Sequence, residues 1–288
     1  MTDYGHDLLF GTFTTPAAAH AENVVALAQL ADRVGLDLVS FQDHPYQPAF
    51  LDAWTLLSYV AARTERIHLV PNVLNLPLRL PVVTARSAAS LDILSGGRVE
   101  LGLGTGAFWD AIEASGGRRL TPGQGVSALA EAIEIVREIW DVEKPGGVHQ
   151  RGAWYSADGA KRGPTPVHSI GIWLGAYKPR MLSLTGSAAD GWLPSLGYLK
   201  GGPSDLHGLN AQIDAGADEA GRDPRAVRRL LNIGGTFARV ARGLLNGPPS
   251  RWVEDLAEIS LEYGVSGYIL AADDGATISR TAGATSSA

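Results

Sequence analysis

An aspartate and a histidine stand side by side just after a predicted strand. The apolar run Leu36–Phe41 favours a β-strand, and Asp43 and His44 follow it after one glutamine. Because imidazole titrates near neutral pH, a histidine beside a carboxylate can act as a general acid or base. The pair is equally compatible with an aspartate that caps the next loop and a histidine on the surface. Asp43 and His44 are therefore candidate catalytic residues, with this structural role left open.

Glycines follow another predicted strand, Arg98–Leu103, in the segment Gly104-Thr105-Gly106. Glycines let a backbone approach a ligand closely, and their amides can bind a phosphate or the edge of a ring. A dinucleotide-binding fingerprint is not present, because the third glycine of G-x-G-x-x-G is missing and no acidic residue is correctly placed. A tight turn explains the cluster as well as a binding loop does.

The end of a third predicted strand, Ile67–Val73, is interrupted by polar residues. Asn72 and Asn75 stand within an otherwise apolar run that continues to Pro77. Polar residues inside such a run suggest a bulge or a distorted backbone.

These segments belong to a regular alternation of strands and helices. The predicted strands are Leu8–Phe13, Leu36–Phe41, Ile67–Val73, Arg98–Leu103, Ile170–Leu174, Gly191–Pro194, Val227–Phe237 and Gly267–Ala272. The predicted helices are His20–Val34, Ala53–Arg63, Val82–Leu94, Gly123–Trp140, Lys178–Ala188, Ser204–Ala220 and Ser250–Tyr263. An α/β fold of this kind is a barrel or a doubly wound sheet, and the even spacing and count of strands favour a single-domain (β/α)8 TIM barrel over residues 1–288. In such a barrel the candidate residues, which follow strands, gather at one face.

Two insertions and a weak last element depart from this repeat. Residues 107–122 follow the fourth strand, and residues 144–169, rich in glycine and polar and aromatic residues, precede the fifth and predict a hairpin or lid. After the eighth strand, residues 278–280 offer one helical turn at best, so we expect the eighth helix to be short or missing.

Composition narrows the function. The net charge of −6 is spread along the 288 residues, which argues against nucleic-acid binding and gives no polybasic segment for a membrane surface. With no cysteine, disulfides, thiolate nucleophiles and cysteine-ligated metals are excluded, and the seven histidines show no metal-hydrolase clustering, so we expect no metal site. No G-x-S-x-G is present. The first residues lack a signal-peptide pattern and no long apolar run occurs, so we expect a cytoplasmic protein.

A longer block resembles a known family. Residues 86–106 read RSAASLDILSGGRVELGLGTG, residues 64–69 read TERIHL, and residues 188–192 read AADGW. These segments resemble the luciferase-like monooxygenase superfamily, and the likeness extends over residues 8–272. Within it, QDHP at 42–45 resembles the branch that uses the deazaflavin coenzyme F420 more than it resembles the luciferases.

This resemblance implies a barrel whose mouth binds an isoalloxazine-type ring, with a non-prolyl cis peptide at Asn72–Val73 behind the ring. Asp43 and His44 match the family's cofactor-side and catalytic pair. The residues that match its cofactor-binding turns are Gly104, Thr105, Gly106, Gly175 and Ala176.

One position departs from the family pattern. In the F420-dependent sugar-phosphate dehydrogenases an acidic catalytic residue follows the glycine turn, whereas this chain has Ala107 there. Asp110 and Glu113 are the next acidic candidates. The departure argues against that particular reaction.

The resulting hypothesis is an F420-dependent oxidoreductase that transfers a hydride between the deazaflavin and a small organic substrate, with His44 exchanging the proton. The first alternative is an FMN-dependent monooxygenase that uses molecular oxygen, and the second is a non-catalytic flavin-binding protein. The resemblance also implies a homodimer through the early helices. Trp54, Leu56, Leu57 and Val60 suit that interface or the core equally well.

Overall fold

The computed structural model describes residues 2–285, in which eight parallel strands close into a barrel. The barrel strands are β1 Leu9–Thr14, β2 Leu38–Phe41, β3 His68–Pro71 with its continuation Leu74–Asn75, β4 Leu101–Gly104, β5 Ile172–Leu174, β6 Gly191–Trp192, β7 Arg228–Ile233 and β8 Gly267–Ala271. Neighbouring strands pair in chain order, and β8 returns to β1 with Leu9 opposite Gly267. The predicted TIM barrel is therefore confirmed, with each strand within a few residues of its expected position.

Helices connect successive strands, and some of their ends show local capping chemistry. They are α1 Ala21–Arg33, α2 Ala53–Ala61, α3 Pro81–Ser95, α4 Pro122–Trp140, α5 Pro179–Ala188, α6 Asp205–Glu219, α7 Pro249–Tyr263 and α8 Gly275–Thr285. Asp52 caps α2 by accepting a hydrogen bond from the Thr55 amide at 2.8 Å. Gly96 ends α3 with a φ of 73°, a left-handed conformation in which glycine carries no steric cost.

The third strand is broken where the sequence predicted a bulge. The peptide bond Asn72–Val73 is cis, as the family resemblance implied, and it separates the two parts of β3. Pro71 is the last residue to pair with β2, whereas Leu74 pairs with Leu103 of β4. Leu69, before the kink, already bridges to Val99, so β3 lies beside the fourth strand on both sides of the kink.

Two glycines of β4 allow this kinked strand to lie close by. A Cβ on Gly102 would stand 2.0 Å from the carbonyl oxygen of Pro71, and one on Gly104 would stand 2.7 Å from Val73 Cγ2. Both contacts are shorter than real Cβ atoms tolerate, so glycine is required here by packing inside the protein.

Buried side chains fill the interior of the barrel. Six buried residues, one from each of six of the eight strands or their ends, form a cluster separate from the larger core between strands and helices. They are Leu38, Val70, Trp173, Leu193, Leu230 and Ile269. Because alternate residues of a strand point to opposite faces, this cluster is the barrel interior. Open space remains beyond this cluster at both ends of the barrel.

The two insertions have ordered structure. The first contains a short helix, Trp109–Ala114, and the second is an antiparallel hairpin of Val148–Arg151 and Ser156–Ala160, as predicted. Glu131 of α4 holds the hairpin turn by accepting hydrogen bonds from the amides of residues 153–155 at 2.8–2.9 Å. The hairpin is thereby fixed to the barrel.

The prediction of a short or missing eighth helix is wrong, because α8 spans three turns and packs against α1 and α7. Asp274 precedes it and accepts a hydrogen bond from the Thr277 amide at 2.8 Å, which caps the first turn. Ile278 is fully buried, and the small side chains of Ala282 and Ala284 are almost so. Small residues give a faint sequence pattern but allow close helix packing.

No helix within residues 2–285 has the length and apolar character needed to cross a membrane.

Candidate active site

A cavity of about 440 Å³ opens at the carboxyl ends of the strands. Its walls come from six of the eight barrel strands and from the turns after them. The lining residues are Phe13, Gln42, His44, Asn72, Ser195, Gly197, Tyr198, Asn232, Ile233, Gly234, Ile269 and Ala271. A volume in this range suits a small-molecule ligand, and this face is where barrels place their chemistry.

His44 lies on the cavity wall, three residues beyond β2. Its Nδ1 is 2.7 Å from the hydroxyl of Tyr46, and the rings of Phe50 and Phe108 pack against it at centroid distances of 6.3 and 5.4 Å. Burial among these rings lowers the pKa of His44 below its ordinary value, although the neighbouring charge of Asp43 opposes the shift. The imidazole is therefore neutral at pH 7, and Nε2 is the nitrogen left for a ligand.

Asp43 has a different position from the one expected for a partner of His44. Its side chain has no exposed surface and forms a two-point ion pair with Arg79, at 3.0 Å to Nε and 2.9 Å to Nη2. It also accepts a hydrogen bond from the amide of Asn75 at 2.9 Å. Both carboxylate oxygens are thus engaged, and the group bonded to the His44 ring is Tyr46. Asp43 anchors the segment that follows the kink of β3.

Asn72, at the kink of β3, lines the cavity. Its amide nitrogen donates to the side-chain oxygen of Asn232 at 2.6 Å, across the barrel from β3 to β7. Both side chains line the cavity. Val73, the next residue, lies against the positions of Gly104 and Gly175 rather than in the cavity wall.

The predicted glycine turns lie beside this kink. Gly104 is in contact with Val73, and a Cβ on Gly175 would be in ordinary contact with it at 3.9 Å. Gly106 has a φ of 87° and fits closely against Pro77. The remaining two, Thr105 and Ala176, are packed into the same side of the barrel, and the carbonyl of Ala176 accepts from Trp192 Nε1 at 2.9 Å. The cavity walls include none of these five, so of the predicted site residues His44 and Asn72 share the cavity.

The acidic residues that follow the glycine turn form ion pairs outside the cavity. Asp110 and Glu113 belong to the short helix of the first insertion, and both form ion pairs with Arg119. The side chain of Asp110 is 98% exposed and that of Glu113 is 58% exposed. Neither lines the cavity, and among residues 2–285 no carboxylate side chain does.

Several cavity residues were missed from the sequence. Asn232 is a polar residue in the apolar strand β7, and that interruption is the signal by which it could have been found. Tyr46 lies two residues beyond His44 and could have been predicted as its neighbour. Ser195 and Tyr198 lie in a turn after β6 whose sequence has no diagnostic pattern.

The cavity has room for a planar ring. Gly197 and Gly234 both line it, and an added Cβ at either position would meet no atom within 4 Å. Glycine at these positions is thus not required by packing, and it leaves the cavity wide. The kinked strand, the apolar side chains of β7 and β8 and the neutral polar groups fit the edge and face of a flavin-type ring.

Fold and site together define a (β/α)8 barrel with a cofactor-sized cavity at the carboxyl ends of its strands. The chain belongs to the luciferase-like monooxygenase family, whose sequence model matches residues 5–238.

Two curated relatives are similar to much of this chain. The 5,10-methylenetetrahydromethanopterin reductase of Methanolobus tindarius is 36% identical over 202 residues, covering 69% of this chain and 57% of the relative. The F420-dependent glucose-6-phosphate dehydrogenase of Nocardia farcinica is 31% identical over 238 residues, covering 79% of this chain and 68% of the relative. The chain therefore matches little more than half of the reductase.

Solved structures share the fold. An F420-dependent secondary alcohol dehydrogenase, in complex with an F420–acetone adduct, superposes with a TM-score of 0.82 at 16% sequence identity. The superposition covers 96% of this chain and 97% of that one. At this identity the likeness concerns the barrel architecture.

Proposed function

We propose that this protein is an F420-dependent oxidoreductase that transfers a hydride between the deazaflavin and a small organic substrate. The observation that carries the proposal is a neutral, ring-packed His44 on the wall of a cavity bordered by the Asn72–Val73 kink. The matches to an F420-dependent dehydrogenase and to the methanopterin reductase support it.

Some residues of the site would hold the ring, and His44 would move a proton. Asn72 would contact the ring at the cavity wall, and its hydrogen bond to Asn232 would hold that wall in place, while Val73 packs behind it against Gly104 and Gly175. When bound, F420 supplies a two-electron centre that accepts or gives a hydride, and the protein supplies placement and electrostatics.

His44 would exchange the proton that accompanies the hydride. In the tautomer in which Nδ1 donates to the Tyr46 oxygen, Nε2 has a free lone pair that can accept the proton of a substrate hydroxyl. Partial burial against the aromatic rings lowers the pKa of His44 and favours the neutral imidazole, which prepares it to act as a base.

Titration of the purified protein with F420 and, in parallel, with FMN tests the cofactor. We expect F420 to bind with a change in its absorption and fluorescence, and F420 reduction by a suitable alcohol without oxygen consumption. Preferential FMN binding with oxygen consumption would instead identify a monooxygenase. Binding of either cofactor without turnover on any donor would identify a non-catalytic binder.

Replacing His44 with Ala tests its role. F420 affinity should stay nearly unchanged, whereas turnover should fall by about 10²–10⁴-fold, the range for loss of a general acid–base group. His149→Ala is the matched control, because that histidine is 64% exposed on the hairpin and pairs with Asp158. Full activity of the His44 variant would remove this residue from the mechanism.

We also propose a homodimer through the early helices, and a cytoplasmic location stays a prediction. Leu56, Leu57 and Val60 belong to the core, which is one of the two roles that the sequence left open for them. Tyr59, Leu80 and Val83 are instead more than half exposed. Tyr59 lies on α2, and Leu80 and Val83 lie side by side at the start of α3; these exposed apolar side chains support an interface through the early helices. Sedimentation of the wild type against Val83→Glu would test it, since a dimer through this face should dissociate in the variant.

A further inference from the structure

The described walls of the cavity contain no formally charged side chain. Four of the lining residues are apolar, six offer neutral hydrogen-bonding groups, and two are glycines. His44, one of the six, is neutral because burial disfavours its charged form. We infer that the substrate of this site is an uncharged alcohol or carbonyl compound and not a phosphate ester or a hydroxy acid; this rests on the proposed function.

The charged groups nearest along the chain are already engaged or lie outside the cavity. Asp43, between Gln42 and His44, is paired with Arg79. Asp273, two residues beyond Ala271, accepts hydrogen bonds from the amide and hydroxyl of Thr15 at 2.7 and 2.9 Å. Both of these groups are carboxylates, which disfavour an anion nearby.

One cationic residue, Lys200, is close in sequence to the lining residues, but it does not line the cavity. Lys200 follows Tyr198 by two residues, and it is exposed to solvent. An exposed ammonium is screened by water and salt and contributes little to holding an anion inside a cavity. Recognition of a phosphate or carboxylate normally uses Arg or Lys groups in direct contact with it.

The groups that are present suit one neutral oxygen and an apolar body. His44 Nε2 can bond a hydroxyl or, when protonated, a carbonyl oxygen, while Phe13, Ile233 and Ile269 offer apolar surface. Oxidation of a secondary alcohol removes the carbinol hydrogen as a hydride, taken up by the oxidised deazaflavin, and the hydroxyl proton, taken up by His44. The products would be a ketone, the reduced deazaflavin and a protonated His44, which then releases its proton to solvent.

A matched pair of substrates separates charge from shape. Pentan-2-ol and 3-hydroxybutyrate have the same reacting centre, but an ethyl group in the first is replaced by a carboxylate in the second. With F420-loaded protein, we expect kcat/KM for pentan-2-ol to exceed that for 3-hydroxybutyrate by about 100-fold or more, because the carboxylate would be desolvated without a partner. Glucose 6-phosphate serves as the phosphate probe and should not be oxidised.

Binding provides a second readout that does not depend on turnover. Calorimetric titration of the F420-loaded protein with pentan-2-one and with acetoacetate should show binding of the ketone and none of the keto acid at the same concentration. Lys200→Met should leave the ratio of the two alcohols unchanged, since this lysine does not line the cavity.

A charge introduced at Gly234 tests the electrostatic cause. A side chain there enters open space, and the backbone does not adopt a left-handed conformation. Gly234→Lys should raise kcat/KM for 3-hydroxybutyrate relative to pentan-2-ol by about tenfold or more, whereas the neutral Gly234→Gln should not. The Gln variant controls for lost volume.

The outcomes distinguish the two proposals. F420 binding with preferential oxidation of pentan-2-ol, together with the Lys effect at Gly234, supports an uncharged substrate. F420 binding with equal or faster oxidation of 3-hydroxybutyrate or glucose 6-phosphate overturns that inference and leaves the proposed function standing. Failure to bind F420, or to reduce it with any of the three donors, overturns the proposed function and the inference with it.

Discussion

The buried ion pair between Asp43 and Arg79 allows a quantitative prediction about stability. Asp43 has no exposed side-chain surface, and both of its oxygens bond Arg79, which is 22% exposed. Arg79 also contacts Asp52 at 2.8 Å, and that carboxylate is 43% exposed. The two carboxylates share one guanidinium, and together they raise the pKa of Arg79 although its burial opposes the shift. Asp43→Asn and Asp52→Asn therefore compare a buried and an exposed partner of the same cation.

Removing one partner of a buried ion pair costs about 3–5 kcal/mol, because the other charge is left in a poorly solvated place. Here Arg79 keeps Asp52, and Asn at position 43 can still accept a hydrogen bond from the Asn75 amide. We therefore expect Asp43→Asn to lower the free energy of unfolding by about 2–3 kcal/mol. Asp52→Asn should cost about 0.5 kcal/mol, because exposed pairs contribute little and Asn also caps a helix well.

Urea unfolding followed by circular dichroism measures both variants, with the midpoint compared at constant slope. The double variant Asp43→Asn with Arg79→Met should recover part of the loss, since no unpaired buried charge is left. F420 affinity should fall in Asp43→Asn, because Asp43 anchors Asn75 just after the kink. Equal midpoints for Asp43→Asn and Asp52→Asn would refute the reasoning, because burial would then make no difference.

Two further predictions concern the site and the barrel wall. The rate of alcohol oxidation should rise with pH through an apparent pKa below the ordinary histidine value of about 6.5. The reason is that oxidation needs neutral His44, whose pKa is lowered by burial. An inflection above 6.5 in the pH profile would contradict this prediction. Gly102→Ala should destabilise the fold by about 3 kcal/mol, because the new Cβ would meet the Pro71 carbonyl. Gly208→Ala, at the fourth residue of α6 with open space around it, should instead stabilise the protein by about 0.5–1 kcal/mol, and urea midpoints of the two variants would show the contrast.

The sequence by itself determined the order of elements and the position of the kink. Local periodicity decided these features, because the apolar positions of each strand and helix lie close together in the chain. Asn72 within an apolar run marked the bulge, and His44 after β2 marked the barrel mouth. Even so, α8 was missed, since its alanines and threonines give little periodic contrast and its packing against α1 and α7 is a tertiary property.

Only the tertiary structure decided which side chains share the site. Asn72 and Asn232 are separated by 160 positions, and they meet because β3 and β7 face each other across a closed barrel. Asp43 and His44 are adjacent in sequence, yet one is buried against Arg79 and the other lies on the cavity wall, because successive residues leave the backbone in different directions. The uncharged character of the cavity likewise arises from segments that the chain brings together only on folding.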